Sequence, residues 1–260
     1  MEKFEIKNRK GLKIVGDILK PINPKGLGFV LHGLGGYKDQ LHIKILADTL
    51  FENNYIVINF DATNSIGESE GSYENATMQN HYEDLADVIN WAKTQTWYIE
   101  PFILAGHSLG GFAVAKYAEE FPQEVKGVFP YAAVYSGKDS FEASEKFKAE
   151  EIKEWKETGW THKTSTSKPW VKMKLPWSHM EERLMHDLKL KVDRLTMPVL
   201  FVVGEFDTSC PPYQQKNFYD LLPDGTEREF HIIKGARHTF REPEQLNQLK
   251  EIFSIWLNKI

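Results

Sequence analysis

Cysteine is nearly absent from this chain, which has one, Cys210, among 260 residues. A single cysteine excludes an internal disulfide and a zinc site built from several thiolates. No two histidines have the HExxH spacing of a zinc hydrolase. We therefore expect no metal site, and a reducing compartment, the cytoplasm, as the location. A secreted protein without disulfides would have the same cysteine content.

Long apolar runs are also missing. No stretch reaches the length of about 18 apolar residues that a membrane-spanning helix needs. The N-terminal residues alternate between charged and apolar side chains and lack the apolar stretch of a secretory signal. We expect neither a membrane span nor a cleaved leader.

Basic residues do not predominate. The chain has 32 lysines and arginines against 37 aspartates and glutamates, a formal charge of -5, and the basic residues are scattered. A nucleic-acid-binding protein normally has a concentrated basic surface. We expect a small-molecule partner and no nucleic acid.

What the chain does contain is a repeated alternation of strand and helix patterns. Hydrophobic residues make up 41% of the sequence, enough for one substantial core. Such alternation predicts an α/β fold, a mostly parallel sheet of about eight strands with helices on both faces, entered through an antiparallel hairpin. The predicted strands are 2–8, 13–19, 27–32, 55–60, 102–105, 125–131, 199–204 and 227–233. The predicted helices are 39–54, 82–94, one starting at Leu109, 212–222 and 242–257.

The alternation stops over residues 136–190, which we call the inserted segment. Four of the seven tryptophans lie in it: Trp155, Trp160, Trp170 and Trp177. This aromatic composition differs from that of a flexible linker. We predict a helical cap over one edge of the sheet, and a core domain formed by residues 1–135 and 191–260.

The stretch GHSLG, residues 106–110, stands where a predicted buried strand ends and a helix begins. It matches the G-x-S-x-G pattern, in which glycines make room for a sharply bent serine whose hydroxyl projects from the sheet. The helix starting at Leu109 would place free N–H groups and its positive dipole end beside that hydroxyl. We predict that Ser108 is a nucleophile. A glycine-rich turn with a capping serine is the alternative interpretation.

A nucleophilic serine needs a base, a carboxylate that orients the base, and an oxyanion hole. GEFDTSCP places Asp207 after the strand ending at Val203, and GARHTF places His238 after the strand ending near Ile233. HGLGG, residues 32–36, follows an earlier strand, and its glycines would let a backbone N–H face the site. The motifs all follow strand ends, so we predict that they meet in one site.

The motifs HGLGG, GHSLGG, GEFDTSCP and GARHTF, in this order, resemble the α/β-hydrolase superfamily over nearly the whole chain. The resemblance is strongest to the branch of monoacylglycerol lipases, cinnamoyl or feruloyl esterases and other small carboxylesterases. It implies Ser108 as nucleophile, His238 as general base and then acid, and Asp207 as the carboxylate that orients His238. It also implies an oxyanion hole formed by the backbone N–H groups of Leu34 and Leu109, and no cofactor.

One stretch departs from this branch. The branch often has Asp-x-Arg-Gly-x-Gly-x-Ser after a strand, whereas this chain has FDATNSIGESEGS, residues 60–72. Asp61, Gly67 and Ser69 are present, but the arginine is missing and Ile66 occupies the first glycine position. The departure concerns the packing of this loop and leaves the predicted triad unaffected.

Two neighbouring residues compete for the predicted roles. Glu205 precedes Asp207 in the same loop but follows the strand too closely to serve as the orienting carboxylate. His231 lies within a strand pattern, so we favour His238 as the base. His32 and His107 flank the site and are expected to be structural. Cys210 is expected to be a small buried apolar group.

The predicted activity is hydrolysis of a carboxylic ester through an acyl-enzyme. A proline-type aminopeptidase, a thioesterase or an acyltransferase would use the same three residues, and a non-catalytic ligand receptor could use the same fold. We expect a small, aromatic or acyl-chain ester, because the aromatic residues of the inserted segment favour, as a group, an apolar or aromatic substrate part. Trp160 and Trp170 would either affect the choice between esters or anchor the core of the cap. Four lysines there lack a neighbouring acid and fit either a solvated loop or an anionic substrate group: Lys163, Lys168, Lys172 and Lys174.

Overall fold

The computed structural model describes the whole chain, residues 1–260, and contains ten strands. They are β1 (Glu2–Lys7), β2 (Lys13–Leu19), β3 (Gly26–Leu31), β4 (Tyr55–Phe60), β5 (Phe102–His107), β6 (Val125–Tyr131), β7 (Trp160–Thr164), β8 (Lys172–Pro176), β9 (Val199–Gly204) and β10 (Arg228–Ile233). Eight of them form one sheet in the order β1-β2-β4-β3-β5-β6-β9-β10. β2 is antiparallel to β1 and β4. The other six strands of the sheet, β4, β3, β5, β6, β9 and β10, are parallel to one another. The predicted α/β sheet is confirmed.

Helices cover both faces of this sheet. They are α1 (Leu41–Glu52), α2 (Met78–Ala92), α3 (Leu109–Glu120), α4 (Gly137–Phe147), α5 (Ala149–Thr158), α6 (Ser178–Leu184), α7 (Pro212–Leu221) and α8 (Pro243–Leu257). Phe29 and Leu31 of β3 join the hydrophobic core that contains side chains of α2, α3 and α7, whereas Val30 joins the core that contains those of α1 and α8. Because both of its faces are buried, β3 is a continuous apolar run in the sequence. No helix combines the length and the apolar character that crossing a membrane requires.

Strand β5 continues two residues beyond its predicted end, through Gly106 and His107. Glycine is unfavourable in a strand by intrinsic preference. Here Gly106 pairs with Leu31 of β3 on one side and with Pro130 of β6 on the other. The central position of β5 in the sheet therefore extends the strand up to Ser108.

The inserted segment contains the helices α4, α5 and α6, and also the antiparallel hairpin β7–β8. The sequence pattern did not predict the hairpin. Nearly every residue of β7 is exposed, so no apolar alternation marks the strand in the sequence.

The two ends of the inserted segment lie side by side. Ser136 and Asp187 form an isolated antiparallel bridge. Beside it, the N–H of Leu188 donates a hydrogen bond of 2.8 Å to the carbonyl of Tyr135. The chain therefore leaves the core after β6 and returns to it at the same place before β9.

Gly137 allows α4 to begin in close contact with α6. A Cβ at this position would collide with the carbonyl group of Arg183 and lie 2.8 Å from the Cα of Leu184. Gly137→Ala must therefore separate the two helices, and we expect it to lower the free energy of unfolding by about 1–3 kcal/mol. Thermal denaturation would show this as a lower melting temperature. Lys138→Ala changes the exposed neighbour in the same turn, and equal melting temperatures for the two variants would contradict this account of the packing.

Candidate active site

Ser108 occupies the sharp turn between β5 and α3. Its backbone has φ 56° and ψ -112°, a positive-φ conformation that costs a residue with a side chain about 1–3 kcal/mol. A Cβ at Gly106 would collide with the carbonyl of Gly110, and a Cβ at Gly110 would collide with the carbonyl of Leu31. The two glycines therefore let α3 begin against the ends of β5 and β3, which holds Ser108 in this conformation.

Ser108, His238 and Asp207 are connected by hydrogen bonds. The Nε2 atom of His238 lies 3.0 Å from the Oγ of Ser108, and its Nδ1 atom lies 2.8 Å from the Oδ2 of Asp207. A carboxylate beside Nδ1 favours the tautomer that carries its proton there. In that tautomer Nδ1 donates to Asp207, and Nε2 is free to accept the proton of the Ser108 hydroxyl.

Asp207 is buried and held by backbone donors. Its Oδ1 atom accepts hydrogen bonds of 2.8 and 2.9 Å from the N–H groups of Ser209 and Cys210. Burial alone would raise the pKa of Asp207, but His238 and the two N–H groups outweigh burial and lower that pKa below its usual value. The side chain is therefore an ionised carboxylate at neutral pH. The side chain of Cys210 is buried, as predicted.

The two competing residues form other contacts. Glu205 is exposed and accepts a hydrogen bond of 2.8 Å from the N–H of Gly235. His231 lies on β10 with its Nε2 atom 3.1 Å from Glu229. Neither of them is hydrogen-bonded to Ser108.

Two backbone N–H groups beside the serine are available to a ligand. The N–H of Leu34, in the loop after β3, forms no hydrogen bond within the protein. Leu109 is the first residue of α3, so its N–H has no carbonyl one turn earlier in the helix. Both residues line the cavity that opens on the serine. His32 fixes the loop of Leu34, because its Nδ1 donates to the carbonyl of Gly33 at 2.8 Å and its Nε2 accepts from the N–H of Ala62 at 3.0 Å.

A cavity of about 220 Å³ opens onto Ser108 and His238. Most of its lining residues belong to the inserted segment, and its apolar wall includes Ile152, Leu175 and Met180. Four charged side chains also line it: Lys148, Glu151, Lys163 and Arg183. A molecule that reached Ser108 through this cavity would contact the inserted segment.

Three of these charged residues, Lys148, Glu151 and Arg183, were not singled out in the sequence. They stand among other charges of both signs, a pattern typical of a solvated helix face. Their place in the cavity results from the way α4, α5 and α6 fold back over the serine. No local sequence pattern predicts how these three helices pack over the serine.

The tryptophans of the inserted segment are placed differently from our expectation. Trp155 lines the cavity and is only 7% exposed. Trp160 lies beside a separate surface cleft, and Trp170, in the turn of the β7–β8 hairpin, is 77% exposed. Trp160 and Trp170 therefore do not line the cavity that opens on Ser108, because the unpredicted hairpin carries both away from it.

Of the four lysines noted in the sequence, Lys163 lines the cavity. The other three are engaged elsewhere: Lys168 with the ring of Tyr37 and the carbonyl of Ile66, Lys172 with Thr164, and Lys174 with Glu74. A molecule in the cavity would meet Lys163 and none of these three.

Comparison with known proteins places this geometry in a family. Residues 22–244 match the family described as serine aminopeptidase, S33. The chain belongs to this S33 family. It is an α/β-hydrolase, as the sequence motifs predicted.

One sequence relative and two solved structures resemble this S33 hydrolase along most of their length. An uncharacterized 31.7 kDa protein in the traX-finO intergenic region of Escherichia coli is 25% identical over 257 residues, 88% of each chain. Est1E from Butyrivibrio proteoclasticus, solved with ferulic acid bound, superposes with a TM-score of 0.81 at 21% identity over 98% of each chain. Mouse alpha/beta hydrolase domain-containing protein 10 gives a TM-score of 0.79 at 18% identity, over 100% of this chain and 99% of the other. At identities of 21% and 18%, these two solved structures show that the fold is shared and no more than that.

The S33 hydrolase buries a group of histidines around this site. Burial is the main cause that lowers the pKa of each: His32 to about 4, His42, His81 and His179 to about 3, and His107 well below its usual value. All five are neutral at pH 7. His107 also contacts the loop of the base, because its Nε2 atom lies 2.9 Å from the carbonyl of His238.

These histidines should make the protein sensitive to mild acid. Their folded pKa values lie below the ordinary value of 6.5, so the unfolded chain binds more protons as the pH falls. The stability they contribute is complete above pH 6.5 and is lost as the pH falls from there towards the folded values. Between about pH 7.5 and 5.5 we expect a loss of about 1 kcal/mol of unfolding free energy per buried histidine, measured by urea denaturation. His42→Gln should flatten this dependence and His162→Gln, an exposed control, should not; equal slopes for both would contradict the explanation.

Proposed function

We propose that this S33 hydrolase cleaves carboxylic esters, with Ser108, His238 and Asp207 as its catalytic triad. The proposal depends on the continuous contact from Asp207 through His238 to Ser108, at 2.8 and 3.0 Å. A serine that only capped a helix would bond to the first turn, but Ser108 forms no such side-chain bond. A non-catalytic receptor would need neither the base nor the buried carboxylate.

In the proposed reaction the Oγ of Ser108 attacks the ester carbonyl carbon while Nε2 of His238 takes the hydroxyl proton. The carbonyl π electrons move to oxygen and form a tetrahedral oxyanion. Its collapse breaks the bond to the alcohol oxygen, and the alcohol leaves with the proton from His238. Water then attacks the acyl-enzyme with His238 again as base, which releases the acid and restores the serine. Asp207 orients His238 and stabilises its charged form.

The backbone N–H groups of Leu34 and Leu109 are the proposed oxyanion hole. Both residues line the cavity beside Ser108, and no acceptor within the protein occupies the N–H of Leu34. Fixed N–H donors favour the transition state because negative charge develops on the carbonyl oxygen there. His32 supports this role by holding the loop of Leu34.

The size of the cavity favours a small ester. A volume of about 220 Å³ is below the range of sites for drug-sized ligands. It suits a short chain or a single ring better than a long acyl chain, and a single-ring acid is what Est1E binds in its solved structure. A thioesterase or an acyltransferase would share the acylation step, so these activities remain within the proposal.

An aminopeptidase activity fits the cavity less well. Such an enzyme must hold the ammonium group of a substrate near the serine, and an acidic side chain is the natural partner. The cavity has one carboxylate, Glu151, against three cations: Lys148, Lys163 and Arg183. Like charges would repel the ammonium group, which favours an ester over a peptide.

We also propose that the inserted segment acts as a cap that selects the ester, while the core performs the chemistry. The position of the segment supports this role, because its helices and its hairpin together supply most of the cavity wall. Its contacts would act on discrimination between esters. The cytoplasm remains the proposed location.

Ser108→Ala should abolish ester hydrolysis, with a loss of turnover on the order of 10⁶-fold, since no other group replaces the nucleophile. His238→Ala should be comparably severe. Turnover of 4-nitrophenyl esters of increasing chain length measures both effects. Covalent labelling by a fluorophosphonate, lost in Ser108→Ala, gives a readout independent of the substrate. Near-normal turnover in either variant, or no labelling of the unmodified protein, would refute the triad.

Asp207→Asn should lower turnover on the order of 10⁴-fold at neutral pH, because the amide stabilises the wrong tautomer of His238. Glu205→Gln, in the same loop, is the matched control and should have little effect. The same ester assay compares them. A larger loss in Glu205→Gln would transfer the orienting role to Glu205.

A further inference from the structure

The cavity that opens on Ser108 contains three cations without an ionic partner. Lys148, Lys163 and Arg183 all line it, and no carboxylate oxygen lies within 4.0 Å of their charged nitrogens. Glu151 shares the cavity but pairs with none of them. The cavity therefore carries more positive than negative charge next to a nucleophilic serine.

Arg183 is held in place by neutral groups alone. Its guanidinium donates a hydrogen bond of 3.0 Å to the Oγ of Ser140 and one of 2.9 Å to the Nε2 of His179. His179 can accept that bond because its Nδ1 donates to the carbonyl of Ala76 at 2.7 Å. Burial lowers the pKa of His179 to about 3, so the ring is neutral.

This arrangement leaves most of the donors of Arg183 without an acceptor. Its Nε is shielded from solvent and has no partner. A guanidinium has five N–H donors, and two of them are used here. A cation that is partly withdrawn from water is normally paired with an anion, because its loss of hydration is otherwise costly. The protein itself supplies no such anion.

The two lysines extend the same positive field. Lys148 is half-buried, and its Nζ is bonded only to the Oγ of Ser209, at 3.1 Å. The side chain of Lys163, on β7, forms no hydrogen bond; the residue is exposed and lines both this cavity and the adjacent surface cleft. Although Lys163 is exposed, partial desolvation of its ammonium group and then the charges of Lys148 and Arg183 lower its pKa, in spite of Glu151. The three cations therefore act on one another and on any ligand between them.

We propose that Lys148, Lys163 and Arg183 bind a carboxylate on the part of the ester substrate remote from the scissile carbonyl. This inference rests on the proposed esterase function and narrows its substrate class to half-esters of dicarboxylic acids and esters of carboxylate-bearing alcohols. The planar fork of Arg183 matches a carboxylate. The apolar side chains of Ile152 and Met180 would cover a short hydrocarbon chain between the two ends of the substrate.

Matched pairs of esters test the proposal. On the acyl side, mono-4-nitrophenyl adipate is compared with 4-nitrophenyl hexanoate; on the alcohol side, 3-carboxyphenyl acetate is compared with 3-methylphenyl acetate. The members of each pair differ mainly in the remote carboxylate. We expect kcat/KM to favour the anionic member of at least one pair by roughly ten- to a hundredfold, as for hydrogen bonds to a charged group.

Single substitutions test whether Lys148, Lys163 and Arg183 cause the preference for the anionic ester. Lys148→Gln and Lys163→Gln should each reduce the ratio of anionic to neutral kcat/KM, and Glu151→Gln should increase it by removing the one opposing charge. Lys172→Gln changes a lysine of the same hairpin outside the cavity and should leave the ratio as it is. Arg183→Gln should remove the preference, but it also breaks the bonds to Ser140 and His179, so its melting temperature is measured alongside.

A binding measurement separates this proposal from the esterase function. Adipate should raise the melting temperature of Ser108→Ala, hexanamide should not, and adding Lys148→Gln should abolish the rise. If neutral esters are cleaved in a Ser108-dependent way but no pair shows an anionic preference, the carboxylate subsite is refuted and the esterase function stands. If no ester is cleaved, the esterase function fails, and the absence of an adipate effect would then refute the subsite as well.

Discussion

Helix α3 begins so close to the ends of β3 and β5 that its first turn and the end of β5 need glycine, because a Cβ at Gly106 or Gly110 would collide with backbone. Gly111 allows a similar close approach to the chain after β6, because a Cβ there would lie 2.6 Å from the Cβ of Ala133. The packing leaves Ser108 no alternative conformation, and the cost of its positive φ is offset by the burial of α3 residues such as Phe112. The serine hydroxyl and the N–H of the next residue are thereby fixed relative to each other by one short stretch of backbone.

The sequence was informative where both faces of a strand are buried. β6 and β9 have the predicted bounds. For β9 the reason is plain, because its continuous apolar run is buried up to Gly204 and is followed by the exposed Glu205. The meeting of Ser108, Asp207 and His238 could be predicted as well, since parallel strands present their carboxyl ends at one edge of a sheet. Local signals failed in the inserted segment, where β7 is exposed on nearly all sides and the cavity charges depend on how separate helices fold together.

The loop that departs from the esterase pattern is built around the carboxylate of Asp61. The carboxylate of Asp61 accepts hydrogen bonds of 2.7 Å from the N–H groups of Lys38 and Glu68. A Cβ at Gly67 would collide with that carboxylate, and Ser69 donates to the carbonyl of Asp61 at 2.6 Å. The three residues retained from the pattern therefore hold the loop together around Asp61, and the arginine is not needed for this.

The adjoining ends of the inserted segment have a consequence for how this architecture can vary. Ser136 is bridged to Asp187, so the distance between the two points where the segment joins the core stays the same, whatever chain lies between them. The entropy of closing such a loop grows only slowly with its length, so the chain between the anchors can be lengthened, shortened or exchanged at little cost to the sheet. If the proposed role of the inserted segment holds, a whole cavity wall could be inherited or transplanted as a module, and substrate preference could diverge while the serine and its neighbours stay where they are.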